Sequence, residues 1–217
     1  MVKVLRTRSR EVRMGSSPKI AIIYYSATGN VAHLAHNIAL GAQSVGAQTR
    51  VLRVQETAPP EAISSNASWQ NFTEHSTDDL ARLEDLVWAD GIAFGSPTRF
   101  GGPASQLKAF LDTTGSLWAT GALANKVGTA FTSASTQHGG LESTILAINN
   151  IFYHWGTLIM PLGYPNEHVR KHSGNPYGAS HFASSRNADD TSHVKAAFSQ
   201  GERLAHVAAA FSRLEIS

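Results

Sequence analysis

Apolar residues recur along this chain in two rhythms. Ile20 to Tyr25 is an unbroken apolar run of strand length. Val31, Leu34, Ala35, Ile38, Ala42 and Val45 follow at the three- and four-residue spacing of one helical face. Gly46 stands where a helix C-terminal glycine belongs, and Thr49 to Val54 reads as a second strand. Glu56 to Thr77, with Pro59 and Pro60, is a long, mainly polar stretch with many Ser, Asn and Thr. It reads as a structureless connection, long enough to be functional or an insertion. Asp78-Asp79 then opens a helix carrying Leu80, Leu83, Leu86 and Val87, with its acids in the first turn. Gly91 to Gly95 is a third strand, uncharged as if covered on both faces, and a helix from about Pro103 to Asp112 buries Leu107, Phe110 and Leu111. Val127 to Phe131 is the fourth strand, followed by a helix with Ile145, Leu146, Ile148, Ile151 and Phe152. Thr157 to Met160 is the fifth, stopped by Pro161. A Gly-, Pro-, Ser- and His-rich loop to Asp190 leads into a last helix from Val194 to Phe211. Alternating strands and helices predict an α/β chain with a parallel sheet between helical layers.

Three strands end in loops of unusual content. Ser26-Ala27-Thr28-Gly29-Asn30 follows the first, at the mouth of a helix, and is either an ordinary N-cap or a cradle for a phosphate. Ser96-Pro97-Thr98-Arg99-Phe100-Gly101-Gly102 follows the third, and Thr132 to Gly140 follows the fourth. Ligands of open parallel sheets bind beyond the carboxyl ends of the strands, at the switch point. With strand order 2-1-3-4-5 the three loops come from adjacent strands and form one crevice.

Composition narrows the classes. The chain has 217 residues, 42% hydrophobic and 16% charged, which suits one large folded domain. It has no cysteine, so disulfides, thiolate metal sites and cysteine nucleophiles are excluded, and a cytoplasmic setting is expected. No apolar run reaches bilayer length and no signal-peptide pattern opens the chain, so no membrane partner is expected. The sequons Asn66-Ala67-Ser68 and Asn71-Phe72-Thr73 are accordingly read as coincidence. The net charge of +2 is uneven: Lys3, Arg6, Arg8, Arg10 and Arg13 against Glu11 give residues 1–18 a charge of +4, leaving −2 for residues 19–217. Residues 1–18 read as a nucleic-acid or membrane-surface arm, a transit peptide or, as favoured, a basic disordered leader to a single domain at 19–217, whose mildly acidic body carries no nucleic-acid signal. His33 with His36 and His168 with His172 lack a third ligand, so no metal is expected. GxGxxG, GxxxxGK[ST] and GxSxG are absent, which disfavours a Rossmann dinucleotide domain, a P-loop nucleotidase and an esterase.

SATGN at Ser26 to Asn30, GSPTRFGG at Gly95 to Gly102 and TGSLWATGALANK at Thr114 to Lys126 resemble the WrbA-type NAD(P)H:quinone oxidoreductases, relatives of the flavodoxins. The likeness continues through MPLGY at Met160 to Tyr164 and GNPYGAS at Gly174 to Ser180, covering nearly everything from Lys19 to the last helix. It implies a flavodoxin-like three-layer fold with a five-stranded parallel sheet in the order 2-1-3-4-5 and helices on both faces. It further implies bound FMN, a homotetramer, and two-electron reduction of quinones by NAD(P)H.

Carried over by position, Ser26, Ala27, Thr28, Gly29, Asn30 and Val31 hold the FMN phosphate. Pro97, Thr98, Arg99 and Phe100 border the flavin, and Ser133, Ala134, Ser135, Thr136, Gln137 and His138 close over its other edge. Trp118 matches the tryptophan of the substrate pocket. Thr28 stands where the family usually has an aromatic residue. Trp155 replaces a family histidine that faces the flavin, and the loop after the fourth strand lacks the family's alternating glycines. His154 is either a proton relay or a structural histidine, and Arg99 either a flavin partner or a surface ion-pair partner. Two other classes fit the same fold: a flavodoxin-like one-electron carrier, and a non-enzymatic interaction module.

Overall fold

The computed structural model describes residues 17–165, 167, 169–170, 174–182 and 191–214. The basic leader expected at 1–18 therefore lies outside the described residues except for its last two, as do His168 and His172. In chain order the elements are β1 (Lys19–Tyr24), α1 (Asn30–Ser44), β2 (Gln48–Arg53), α2 (Pro60–Ser64), α3 (Ala67–His75), β3 (Asp79–Leu80), α4 (Leu83–Trp88) and β4 (Gly91–Arg99). They continue with β5 (Gly102–Pro103), α5 (Ser105–Asp112), α6 (Gly115–Ala119), β6 (Val127–Ala134), α7 (Leu141–Trp155), β7 (Leu158–Ile159), β8 (Ser180–Phe182) and α8 (Ser192–Phe211).

The sheet runs β3-β2-β1-β4-β6-β7, with β8 also on β6 and β5 folded back antiparallel on β4. The five-strand sheet expected from the sequence is thus corrected to eight strands, for three physical reasons. First, β7 pairs with Val127 and Gly128 at the start of β6, whereas β8 pairs with Thr132 to Ala134 at its end. Two short segments distant in sequence share one edge of β6, where periodicity pointed to a single strand. Second, Asp79 and Leu80 do not begin a helix. They pair with Leu52 and Arg53, and the Ala81 amide donates to the Arg53 carbonyl at 2.9 Å. Leu80 and Val87 are 40% and 50% exposed, so their place in the apolar rhythm was misleading. Third, Arg99 and Thr98 reverse through Phe100 and Gly101, both at positive φ, onto Gly102 and Pro103. The stretch 56–77 is corrected too: it holds α2 and α3, opened by Pro59-Pro60 and by Asn66, whose Oδ1 accepts the Ser68 and Trp69 amides.

Alternate residues of β1 go to opposite layers, as strand geometry requires. Ile20, Ile22 and Tyr24 face the layer of α1 and α8, while Ala21, Ile23 and Tyr25 face that of α4, α5 and α7. Helices α1 and α8 meet backbone to backbone. A Cβ on Gly41 would lie 1.9 Å from the Phe198 carbonyl oxygen, and one on Gly201 1.9 Å from that of Ile38. Buried Gln200 joins this layer to the sheet, donating to Thr129 Oγ1 (2.7 Å) and the Ala130 carbonyl (2.9 Å) and accepting the Ala179 amide (2.6 Å). These bonds satisfy both ends of its amide in the core. No described helix is long and apolar enough to cross a membrane.

Candidate functional site

The carboxyl ends of β1, β4 and β6 are adjacent, and their loops line one cavity of about 270 Å³. The first loop contributes Ser26, Ala27, Thr28, Asn30 and Val31. The second loop, whose first part the structure draws into β4, contributes Pro97, Thr98 and Arg99, and the third contributes Ser135 together with Ser133 and Ala134 at the end of β6. Asn66, from the insertion between β2 and β3, completes the lining.

The first loop has the make-up of an anion cradle. Gly29 adopts φ 89°, a left-handed conformation that suits glycine, and leads into a 15-residue helix that has no side-chain cap and no acid in its first turn. The first intrahelical bond described runs from the His33 amide to the Gly29 carbonyl, so the earlier amides of the turn point outward under the positive end of the dipole. Ser26 Oγ accepts the Gly29 amide at 3.0 Å, which leaves the hydroxyl proton for a ligand. Asn30 Nδ2 reaches Thr28 Oγ1 at 3.4 Å. These donors fit a phosphate, and no carboxylate lines the cavity.

The second loop is fixed from three sides. Ser96 Oγ accepts the Ala104 amide (2.8 Å), Thr132 Oγ1 donates to the Ser96 carbonyl (2.7 Å), and Thr144 Oγ1 bonds Thr98 Oγ1 (2.8 Å). A Cβ on Gly140 would come within 2.9 Å of Gly101 Cα, so glycine at the mouth of α7 lets the two loops close. Arg99 is exposed, with Nη1 on the Thr98 carbonyl at 3.1 Å. It is in no described ion pair, so the surface-pair alternative finds no partner among the described residues.

Other expected site residues lie off the cavity lining. Gly29 backs the loop, and Phe100 is fully exposed at φ 52°. Thr136, Gln137 and His138 form an exposed turn. Trp155 is 7% exposed and meets Phe94 and Phe152 edge-on in the core, with ring centroids 5.8 and 6.1 Å away. The structure thus gives it a packing environment rather than the cofactor-facing one expected. Trp118 is 57% exposed on α6 and donates from Nε1 to the His154 carbonyl at 2.9 Å, so the two meet on the surface at the end of α7.

Two features escaped the sequence reading: Asn66 in the lining, and Glu56 behind it. The Glu56 carboxylate accepts from Tyr25 Oη (2.9 Å), Trp69 Nε1 (2.9 Å), Gln106 Nε2 (2.8 Å) and the Thr57 and Ala58 amides (both 2.9 Å). Burial alone would raise its pKa. The Ala58 amide, Trp69, Gln106 and Tyr25 outweigh burial and hold it below the usual carboxylate value. Tyr25 is pushed above the usual tyrosine range, first by burial and then by the Glu56 bond and charge, with Arg99 pulling the other way. The signal available in sequence was local: Asn66 before a short amphipathic stretch is an N-cap pattern, although nothing local announces Glu56.

A larger groove of about 550 Å³ runs along β2 and β3 at the edge of the sheet, apart from the β1, β4 and β6 ends. Of its charged residues, Arg50 and Asp85 pair with each other, Arg50 Nη1 meeting Asp85 Oδ1 at 2.7 Å while the guanidinium lies 4.1 Å from the Trp88 ring. The smaller crevice is the chemical one.

Comparison with known proteins places the chain among flavin-handling relatives. An NAD(P)H dehydrogenase (quinone) of Deinococcus radiodurans is 44% identical over 168 residues, covering 77% of this chain and 84% of that protein. One of Geotalea uraniireducens is 37% identical over 202 residues, covering 90% of this chain and 100% of that protein. Among solved structures, a WrbA-like flavodoxin protein of Agrobacterium tumefaciens superposes with a TM-score of 0.64 at 22% identity, over 90% of this chain and 99% of that one, and shares the fold. The NADPH-dependent FMN reductase family matches residues 18–169, and with that match the chain belongs to this family.

Proposed function

We propose that the crevice at the ends of β1, β4 and β6 is where this FMN-dependent NAD(P)H:quinone oxidoreductase binds its cofactor and turns over its substrates. The observation that carries this is the meeting of an uncapped, acid-free helix N-terminus with the PTR loop and the β6 loop in a single cavity. The α1 amides, Ser26, Thr28 and Asn30 take the FMN phosphate. Pro97, Thr98 and Arg99 border the ring, and Ser133, Ala134 and Ser135 close its far edge. When bound, FMN supplies the two-electron redox chemistry. The lining residues would position the ring and exclude water from it, and the Arg99 guanidinium would be available to a reduced, negatively charged flavin. Nicotinamide and quinone would use the same crevice in turn.

Trp118 and Tyr153, 57% and 71% exposed near the end of α7, support a homotetramer in which a neighbouring subunit covers this face and completes the substrate pocket. Trp155 belongs to the core packing and is given no cofactor role here. The expected site of action is the cytoplasm, where reduced nicotinamide is at hand.

The test is direct. Purified protein is examined for flavin absorbance, loaded with FMN if needed, and followed for anaerobic oxidation of NADH and NADPH with benzoquinone as acceptor. A colourless protein that takes up no FMN overturns the assignment. Bound FMN with no nicotinamide oxidation would make it an electron carrier instead.

A further inference from the structure

The insertion between β2 and β3 is seated on the phosphate loop. Phe72 of α3 packs against Gly29, with a Cβ built there lying 3.4 Å from its ring. The gap between Phe72, Thr73, Glu56, Tyr25 and Ser26 has only about 10 Å³, at the lower limit for one water. Glu56 fastens this arrangement by collecting donors from the end of β1, from α3 and from α5.

Asn66 is where the insertion reaches the cavity. Its Oδ1 accepts the Ser68 and Trp69 amides at 3.0 and 3.1 Å, and since amides only donate, the oxygen and nitrogen of this side chain are assigned without ambiguity. Nδ2 therefore points away from α3, and no described hydrogen bond uses it. Asn66 shares the cavity lining with Asn30 and Val31 of the α1 N-terminus, and that lining holds no carboxylate.

We propose that Asn66 is a contact residue for the phosphate-bearing ligand of the crevice, donating through Nδ2, and that Glu56 is the positioning residue that holds it there. This rests on FMN occupying the crevice. The cap fixes the rotamer, the Glu56 bonds fix α3, and the donor is thereby held in place before ligand arrives. Binding then orders little that is not already ordered.

The experiment measures FMN and riboflavin dissociation constants on the full chain, by quenching of flavin fluorescence, for wild type, Asn66→Ser, Asn66→Ala, Glu56→Gln and Glu56→Gln/Asn66→Ser. Serine keeps an N-cap oxygen and removes Nδ2, so α3 is preserved. Asn66→Ser is expected to weaken FMN about tenfold, the size of a lost hydrogen bond to a charged group, and to leave riboflavin, which has no phosphate, within about twofold. Glu56→Gln is expected to weaken FMN several-fold, and in the double variant to add nothing to Asn66→Ser. Unchanged FMN affinity in Asn66→Ser alongside a loss in Asn66→Ala would reduce Asn66 to a cap and overturn the contact. Equal losses for both flavins would overturn it as well. Additive losses in the cycle would overturn the positioning role. If Glu56→Gln does not fold, Trp69→Phe, which removes one donor from the same carboxylate, takes its place in the cycle. A wild-type chain that binds neither flavin sinks the FMN assignment itself, a failure distinct from all of these.

Discussion

The cavity has two walls built on different principles. The turn from β1 into α1 is made locally: a strand, a serine that accepts an amide three residues on, a left-handed glycine and a helix, all within Lys19 to Val31. The insertion from Glu56 to Asp78 is held from a distance. Tyr25 ties its beginning through Glu56, and Tyr24 ties its end through Asp78 Oδ2 at 2.7 Å, where His36 Nε2 also sits at 3.0 Å. Two consecutive residues, pointing to opposite layers, secure the two ends of one segment. A wall of the first kind depends on backbone conformation, and one of the second kind on a few half-buried acceptors.

Substitutions can break this contrast apart. The largest effect is expected at Gly41→Leu, which drives a side chain into the Phe198 carbonyl and moves α1 off α8. A loss of about 3 kcal/mol or more in urea unfolding, with FMN binding falling in step, would show that the first wall lives on global packing. Trp155→His empties part of the core beside Phe94 and Phe152 and should cost about 3 kcal/mol, while FMN affinity in the folded fraction stays near wild type. A specific loss of cofactor there would return Trp155 to the site. Glu56→Ala strands three side-chain donors, and about 2 kcal/mol is expected, together with faster protease cleavage between 57 and 77 and little change in far-UV circular dichroism. Tyr25→Phe removes one of these donors and should cost about 1 kcal/mol.

Acid provides the finest probe. The folded Glu56 carboxyl lies below its unfolded value, so its contribution is complete above the unfolded pKa. That contribution declines as pH falls through the unfolded and then the folded pKa, because the unfolded chain takes up the proton first. Unfolding free energies from neutral pH into the acid range should fall less steeply for Glu56→Gln than for wild type. Parallel slopes would remove Glu56 from the account.

The same contrast explains what the sequence made legible. Ile20 to Tyr25 with the helix from Val31, and the Thr98-Arg99 and Ser133 loops, are written in short-range pattern, and they do converge on one cavity. Glu56 was unreadable because its meaning lies in Tyr25, Trp69 and Gln106, which only the fold brings together. Asp79 and Leu80 were misread because two residues hydrogen-bonded to an existing edge carry too little periodicity to outvote neighbouring leucines. The place beside β6 was misread because two segments divide it. Trp155 could be located by alignment to a motif, but which way its ring turns is decided by Phe94 and Phe152.

The backbone contact of Gly41 with Phe198 and of Gly201 with Ile38 also has a consequence in time. The helix whose N-terminus forms the anion cradle is fastened to α8, which a ribosome makes some 150 residues later. A nascent chain halted before Ser192 would carry the whole cradle sequence yet lack the surface on which α1 rests. Competence to hold the cofactor should therefore switch on only once α8 has emerged, so that flavin is captured by chains that already carry this helix.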